Sequence, residues 1–362
     1  LSEQTGSADA PLFSAVKSIS TPDDFTIVFN LSYADDNFLY ALTNPGAMPC
    51  DEEFFNLTNG KYGLDAKYLL CNGPFHVSKW TEKTSVKLAK NNEYNGESSV
   101  SPSSVTFYIN NDDSEVADKM NSVTYDVAFL SSSQFSSIEN KKDLNSVAVQ
   151  NVTYSFIFNQ NDNNYRNKNM RLAFCRSCDT SSLFDSQSDI SKADGIVPPS
   201  CKIGGEDYRN GNAAELLSYD ETLAKKNFND ALLELGSSSV ETTILCTEQY
   251  EPFVKQMVQK LQKTLGVKFV STVKVVSESD LEAAVNDGNY SVAFYPFKAK
   301  SSFAGEIIEV FDQNNIFGYE SDVLSQKIRN IKNNSGSLEG ERSAVADAEN
   351  YLVSRSEERR VG

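Results

Sequence analysis

His76 is the single histidine in a chain of 362 residues, so any acid–base catalysis built on imidazole has to use it. A Ser-His-Asp or Cys-His nucleophile would need it as base. It follows a turn-forming Asn72-Gly73-Pro74 and sits on an alternating stretch, where a structural or solvent-facing imidazole is the expectation. No serine lies at a nucleophile elbow, HExxH cannot occur with one histidine, and no Gly-rich loop leads into Lys-Ser/Thr to cradle a phosphate. The paired carboxylates Asp23-Asp24 and Asp112-Asp113 fall where turns and helix starts favour acids. Glu52-Glu53 has no convergent partners and no DxDxDG loop is present, so no calcium site is expected. Cys175-Arg-Ser-Cys178 has redox or zinc-ligand spacing, yet a second CxxC and a neighbouring histidine are missing; a bridge to Cys201 or buried thiols are the other readings. Cys50 and Cys71 flank one polar loop and form the first candidate for a disulfide. The chemistry left to this chain is binding, with no catalytic residue, metal or cofactor.

Composition agrees. The net charge of −17, from 50 acidic and 33 basic residues, argues against a nucleic-acid partner, whose phosphates need a basic patch. Hydrophobic residues at 40% are enough to fill cores, and the length predicts two lobes. No apolar run reaches the roughly 20 residues that span a bilayer. The sequons at Asn30, Asn56 and Asn151 reflect an Asn- and Ser-rich composition. The start at Leu1 without a leader, and the charged, unpatterned residues 354–362, read as the ends of a fragment, the latter a non-native or frayed tail.

The elements follow from pattern. Residues 21–32 read as a turn and strand, and residues 37–43 as a helical turn stopped by Asn44-Pro45-Gly46. Residues 75–80 and 86–90 alternate around a polar turn at 81–84, an antiparallel hairpin with Trp80 in its core. A strand at 105–109, a helix capped around 112–114 and a strand at 124–130 predict a βαβ unit. Residues 147–159 form a long β-branched and aromatic run before an Asn-rich loop and a helix opened by Met170-Arg171. Strands at 242–246, 267–276 and 290–294 then alternate with helices at 219–235, 252–265 and 280–285, an α/β lobe with a parallel sheet. In the helix at 219–235, Leu223, Phe228, Leu232 and Leu235 form one stripe. Helices at 322–331 and 341–353 close the pattern.

Asn72-Gly73-Pro74-Phe75, then Trp80, a polar turn, an alternating strand and Lys90-Asn91-Asn92-Glu93-Tyr94 resemble the signature of family 5 solute-binding proteins, the extracytoplasmic oligopeptide- and dipeptide-binding components of ABC importers. The strand of residues 21–32 before the hairpin, the Arg171-Leu172-Ala173 helix after the Asn-rich loop, and an exposed Pro198-Pro199 loop extend the resemblance over residues 21–353. Of the family's Gly-Glu/Asp-x-Asp motif, Ser122-Val123-Thr124-Tyr125-Asp126 keeps only the Asp, and Asn164-Tyr165-Arg166-Asn167 stands in place of its Pro-Phe-x-Asp before the Arg171 helix. The resemblance implies an α/β, two-lobed, type II periplasmic-binding-protein-like fold with mixed sheets, incomplete at both ends. Residues 1–150 would form part of lobe I, with the hairpin and βαβ unit, and residues 151–353 lobe II.

It also implies a peptide or other small solute held between lobes, ABC permease subunits in the membrane as partners, a monomer, and a cell-surface, lipid-anchored or periplasmic location. Tyr154, Phe156 and Asn159 on the crossover strand, with Tyr295 and Phe297 further on, are the expected ligand walls. Peptide-binding relatives hold the ligand's α-ammonium on an acidic residue that aligns here with Pro296, leaving Glu306 or Asp312 as substitutes or a ligand without a free amino terminus.

Overall fold

The computed structural model of the protein describes residues 15–33, 38–42, 45–96, 99–109, 113–139, 141–180, 183–184, 190–299, 302–312, 315–334 and 336–355. Asp112 and residues 356–362 of the tail lie outside them. The chain divides into two compact units, residues 1–30 with 38–146, and residues 31–37 with 147–362.

In the first unit, β1 (Val16–Asp23) and β2 (Thr26–Leu31) pair as a two-stranded hairpin, so a strand precedes the expected one and only Asp24-Phe25 turn. The Asp23 carboxylate accepts from Phe25 N–H at 2.9 Å, which holds its pKa below the ordinary value. The hairpin of residues 75–90 forms as β3 (Phe75–Thr81) and β4 (Ser85–Lys90), with β5 (Ser104–Tyr108) antiparallel beyond it. Asn91 ties the entry corner down: its backbone N–H donates to Pro74 O and its side chain to Gly73 O, both at 2.9 Å.

Two expectations fail in this unit. Trp80 is 43% exposed rather than core, although a bulge between Val77 and Lys79 sets it opposite Val86, on the face of Val77 and Leu88. The βαβ unit is also absent: after β5 and α1 (Asp113–Asn121), residues 124–130 form no strand, and Phe129 is 99% exposed. Val123 takes a positive φ of 53°, and Thr124 N–H turns back to Lys119 O at 2.8 Å, so this apolar run begins as a helix stop.

The second unit holds the main core. Its sheet has the order β10-β9-β11-β6, built from β6 (Val152–Phe158), β9 (Val240–Cys246), β10 (Phe269–Val275) and β11 (Val292–Lys298). Between β6 and β9, the short β7 (Lys202–Ile203) and β8 (Glu206–Asp207) pair separately. β10, β9 and β11 are parallel, and β6 runs antiparallel to β11, so the expected parallel sheet carries an antiparallel edge. Only residues 152–158 of the predicted 147–159 run are strand.

Helices cover both faces. On one, α2 (Lys168–Ser177), α3 (Glu221–Leu235) and α4 (Glu251–Leu265) pack Phe174, Phe228, Val254 and Leu261 against Ile244 and Phe294. On the other, α5 (Glu278–Asn286), α6 (Asp322–Asn333) and α7 (Leu338–Asn350) bury Leu281, Ile328 and Val345 with Ile157 and Phe297. The stripe of α3 holds at Phe228 and Leu232, which are buried with Ala224, Asn227 and Ala231, while Leu223 is exposed. Its ends are as patterned, with Asp220 accepting from Leu223 N–H at 2.8 Å and Gly236 in the left-handed region.

The Pro-Pro loop is not exposed at its start; Gly195 to Pro198 are buried. Glu349 of α7, 1% exposed, is the reason. It accepts from Val197 N–H at 2.9 Å, Tyr208 Oη at 2.9 Å and Arg209 Nη1 at 2.8 Å, and Arg209 Nη2 returns to Val197 O at 2.7 Å. A Cβ on Gly195 would lie 2.4 Å from Glu349 Oε1, so only glycine lets the loop pass there. Removing the carboxylate leaves a buried guanidinium without its partner, so Glu349→Ala is expected to cost about 3–5 kcal/mol. Urea unfolding of the variant beside an Arg209→Met/Glu349→Leu double variant, which should recover much of the loss, measures it.

Candidate functional site

β6 is a strand by residue type, Val-Thr-Tyr-Ser-Phe-Ile-Phe, and is stopped by the polar run from Asn159 to Asp162. Asp162 caps the short helix Asn163–Arg166, and Asn167 accepts from Met170 N–H at 3.1 Å to start α2. These caps bring Phe174 and Cys178 beside β6. Along the unpaired side of β6, among the described residues, runs a groove of about 700 Å³ wholly within the second unit. One wall is Phe174, Phe184 and Met257; the other is Phe297, Phe311 and Phe317. Asp179 and Lys192 are the charged residues among those described as lining it.

Of the expected wall residues, Tyr154, Phe156 and Phe297 line the groove. Tyr154 stacks on Phe294 at 5.3 Å and packs on Tyr250 at 4.2 Å; burial first, then the Tyr250 hydroxyl, pushes its phenol above the ordinary range. Asn159 and Tyr295 are not among the lining residues. Asn159 Nδ2 donates to Gly288 O and Tyr290 O, each at 2.8 Å, while its Oδ1 accepts from Asn161 N–H at 2.9 Å. This side chain clamps the end of β6 to the loop before β11. Tyr295 packs against Phe297 and Phe317 at 5.7 and 5.8 Å, and burial raises its pKa.

Pro296 is opposite Tyr154 in the ladder. Its missing N–H is tolerated because β9 pairs with β11 only at Val292 and Ala293. Of the two possible acidic substitutes, Asp312 already accepts from Ser325 Oγ at 2.8 Å. Sequence reading missed Gln160, Phe174, Phe311 and Phe317. Each lies outside the aromatic strands that drew attention, and only the fold carries it to the groove.

None of the six cysteines is joined in a disulfide in this structure. The Cys50–Cys71 bridge is therefore not a feature of this structure. Both thiols lie near Tyr62, which hydrogen-bonds Cys50; that bond first, then burial, pushes its phenol up to about 12. Cys178 and Cys201 are not joined either, and burial raises each to about 11. No group of three or more His, Cys, Asp or Glu side chains converges on a metal position among the described residues. His76 is exposed on β3.

A profile of the bacterial extracellular solute-binding proteins, family 5 Middle, matches residues 1–316. The chain belongs to this family. It is a family of solute-binding proteins, not of enzymes. The chain is 22% identical over 255 residues to the dipeptide-binding protein DppE of Bacillus subtilis (strain 168), a match over 69% of this chain and 46% of DppE. It therefore spans under half the length of that curated relative. The substrate-binding domain of an oligopeptide ABC transporter from Bacillus anthracis str. Ames superposes with a TM-score of 0.75 at 19% identity, over 98% of this chain and 74% of that one. Listeria monocytogenes OppA bound to peptide gives 0.72 at 23%, over 98% and 73%. At these identities the likeness fixes the fold, the two-lobed type II binding-protein fold with mixed α/β sheets.

Two outcomes check this account of the site. Asn159→Ala strands the buried Tyr290 carbonyl and the half-buried Gly288 carbonyl and is expected to lose about 2–4 kcal/mol in urea unfolding. At pH 8 a thiol with a pKa near 11 is about one-thousandth thiolate, so iodoacetamide should label exposed Cys71 well before Cys178. Because burial disfavours the charged thiolate, labelling of Cys178 should rise about tenfold per pH unit towards 11, read by peptide mass spectrometry.

Proposed function

We propose that this chain belongs to the solute-binding component of an ABC importer, which captures oligopeptides or a related solute and passes it to a membrane permease. The observation that carries the reading is the family match over residues 1–316. The groove supports it: aromatic walls beside an open strand edge suit a ligand with its own backbone donors and acceptors. Tyr154, Phe156 and Phe297 are the proposed contacts. The relatives' printed functions, a dipeptide-binding protein and a peptide-bound OppA, point to the same ligand class. The protein would act outside the cytoplasm, held at the cell surface by a lipid or kept in a periplasm, with residues 1–150 and 151–353 contributing to separate lobes.

With Pro296 at the family's ammonium-binding position, the ligand's amino terminus has no carboxylate on β11 there. Recognition through the peptide main chain is the consistent alternative. Native mass spectrometry of the full-length protein, purified without added ligand, tests the reading. A ladder of co-purified peptide masses is the expected result, and one non-peptide mass would overturn it.

A further inference from the structure

Solute capture leaves the motif Cys175-Arg-Ser-Cys178 without a role. Cys175 lies in the last turn of α2, and Cys178 is the residue that ends it, its Cα still placed by that turn. Residues three apart on a helix hold their Cβ atoms about 5–6 Å from each other. A disulfide draws them to about 3.5–4.5 Å, closer than the turn allows. A metal ion asks less of the helix. With a metal–sulfur bond of about 2.3 Å, an ion in line between two thiolates needs sulfurs about 4.6 Å apart. Both thiols line the groove, and so does the thioether of Met257 on α4. Cys178 and Met257 are each partly buried against the same core, where α2 meets α4. Lys260, one helical turn on from Met257, acts on Cys178 more strongly than the neighbouring Asp179 does.

We infer that Cys175 and Cys178 form a two-thiolate site for a soft monovalent cation, copper(I) or silver(I), with Met257 as a weaker third ligand. Sulfur ligands select such ions, whereas calcium and magnesium take oxygen. Zinc takes four ligands, and among the described residues no group of three or more His, Cys, Asp or Glu converges. Two thiolates and a thioether satisfy a monovalent ion that accepts low coordination. Binding exchanges protons for metal. Each thiol releases its proton to solvent, two sulfur–metal bonds form, and no electron is transferred. Two thiolates around a monovalent ion carry one net negative charge, which the field of Lys260 at Cys178 offsets. The site needs neither a peptide nor any strand edge, so it stands apart from the peptide-binding reading.

The test uses the full-length protein, reduced and stripped of ligand, and silver(I) nitrate in chloride-free buffer, a probe that needs no reductant. At neutral pH the first equivalent of silver should release about two protons. At an alkaline pH where both groove thiols label, it should slow iodoacetamide labelling of Cys175 and Cys178 together by about tenfold, with Cys50 and Cys71 keeping their rates. X-ray absorption of the protein loaded with copper(I) should find sulfur neighbours alone. Cys175→Ser/Cys178→Ser should weaken silver binding about a hundredfold and Met257→Leu about threefold, while Cys50→Ser/Cys71→Ser binds as the parent. Labelling and absorption are read on the unsubstituted chain, so neither depends on a variant that folds. Protection of Cys50 and Cys71 ahead of the groove thiols would overturn the inference. So would nitrogen or oxygen neighbours at the copper, or undiminished binding by the double groove variant. Each of these results leaves peptide capture to be decided by the co-purification experiment.

Discussion

The antiparallel pairing of β11 with β6, closed at one end by the Asn159 side chain, is the constraint on which the second unit depends. Its parallel core of β10, β9 and β11 needs long crossovers, and helices accordingly cover both faces. β6 joins from the opposite direction, and Asn159 bonds to Gly288 O and Tyr290 O fix its register. A slip of one residue would move Phe156 and Phe158 from the Phe174 face to the Ile157 face. The clamp thus decides both the core and which backbone groups line the groove.

Polar groups elsewhere in the core serve the same end. Tyr165 Oη shares a 2.9 Å hydrogen bond with Thr242 Oγ1, and burial holds its phenol protonated. Asn227 accepts from Arg176 Nη1 and donates to Asn169, each at 2.9 Å, joining α2 to α3. Glu349 anchors a loop through an ion pair that water scarcely reaches. The raised tyrosine and cysteine pKa values of this unit trace first to desolvation, a signature of packing rather than of acid–base chemistry. The first unit relies on local bonds instead: its turns, caps and short hairpins are well satisfied while Phe25, Val127 and Phe129 stay exposed.

Legibility in the sequence tracked how local each cause was. The Asp220 cap, the Gly236 stop and the β9, β10 and β11 strands needed only neighbouring residues and a period. Residues 124–130 had the composition of a buried strand but no described strand to pair with, and composition alone does not provide one. Tyr154 and Phe156, singled out for their aromatic strand, do line the groove, whereas Asn159, at the same strand's end, became a structural clamp.

By itself the sequence pointed to a class of chemistry: one histidine, no nucleophile motif and no phosphate loop made binding the expectation. It also determined the spelling of residues 72–94 that marks the family. The tertiary structure decided where the groove lies, because it joins residues from 153 to 353 across strand pairings that no local pattern encodes. It alone also isolated Gln160 Oε1, since a side chain becomes an orphan only when the packing around it has excluded water without supplying a donor.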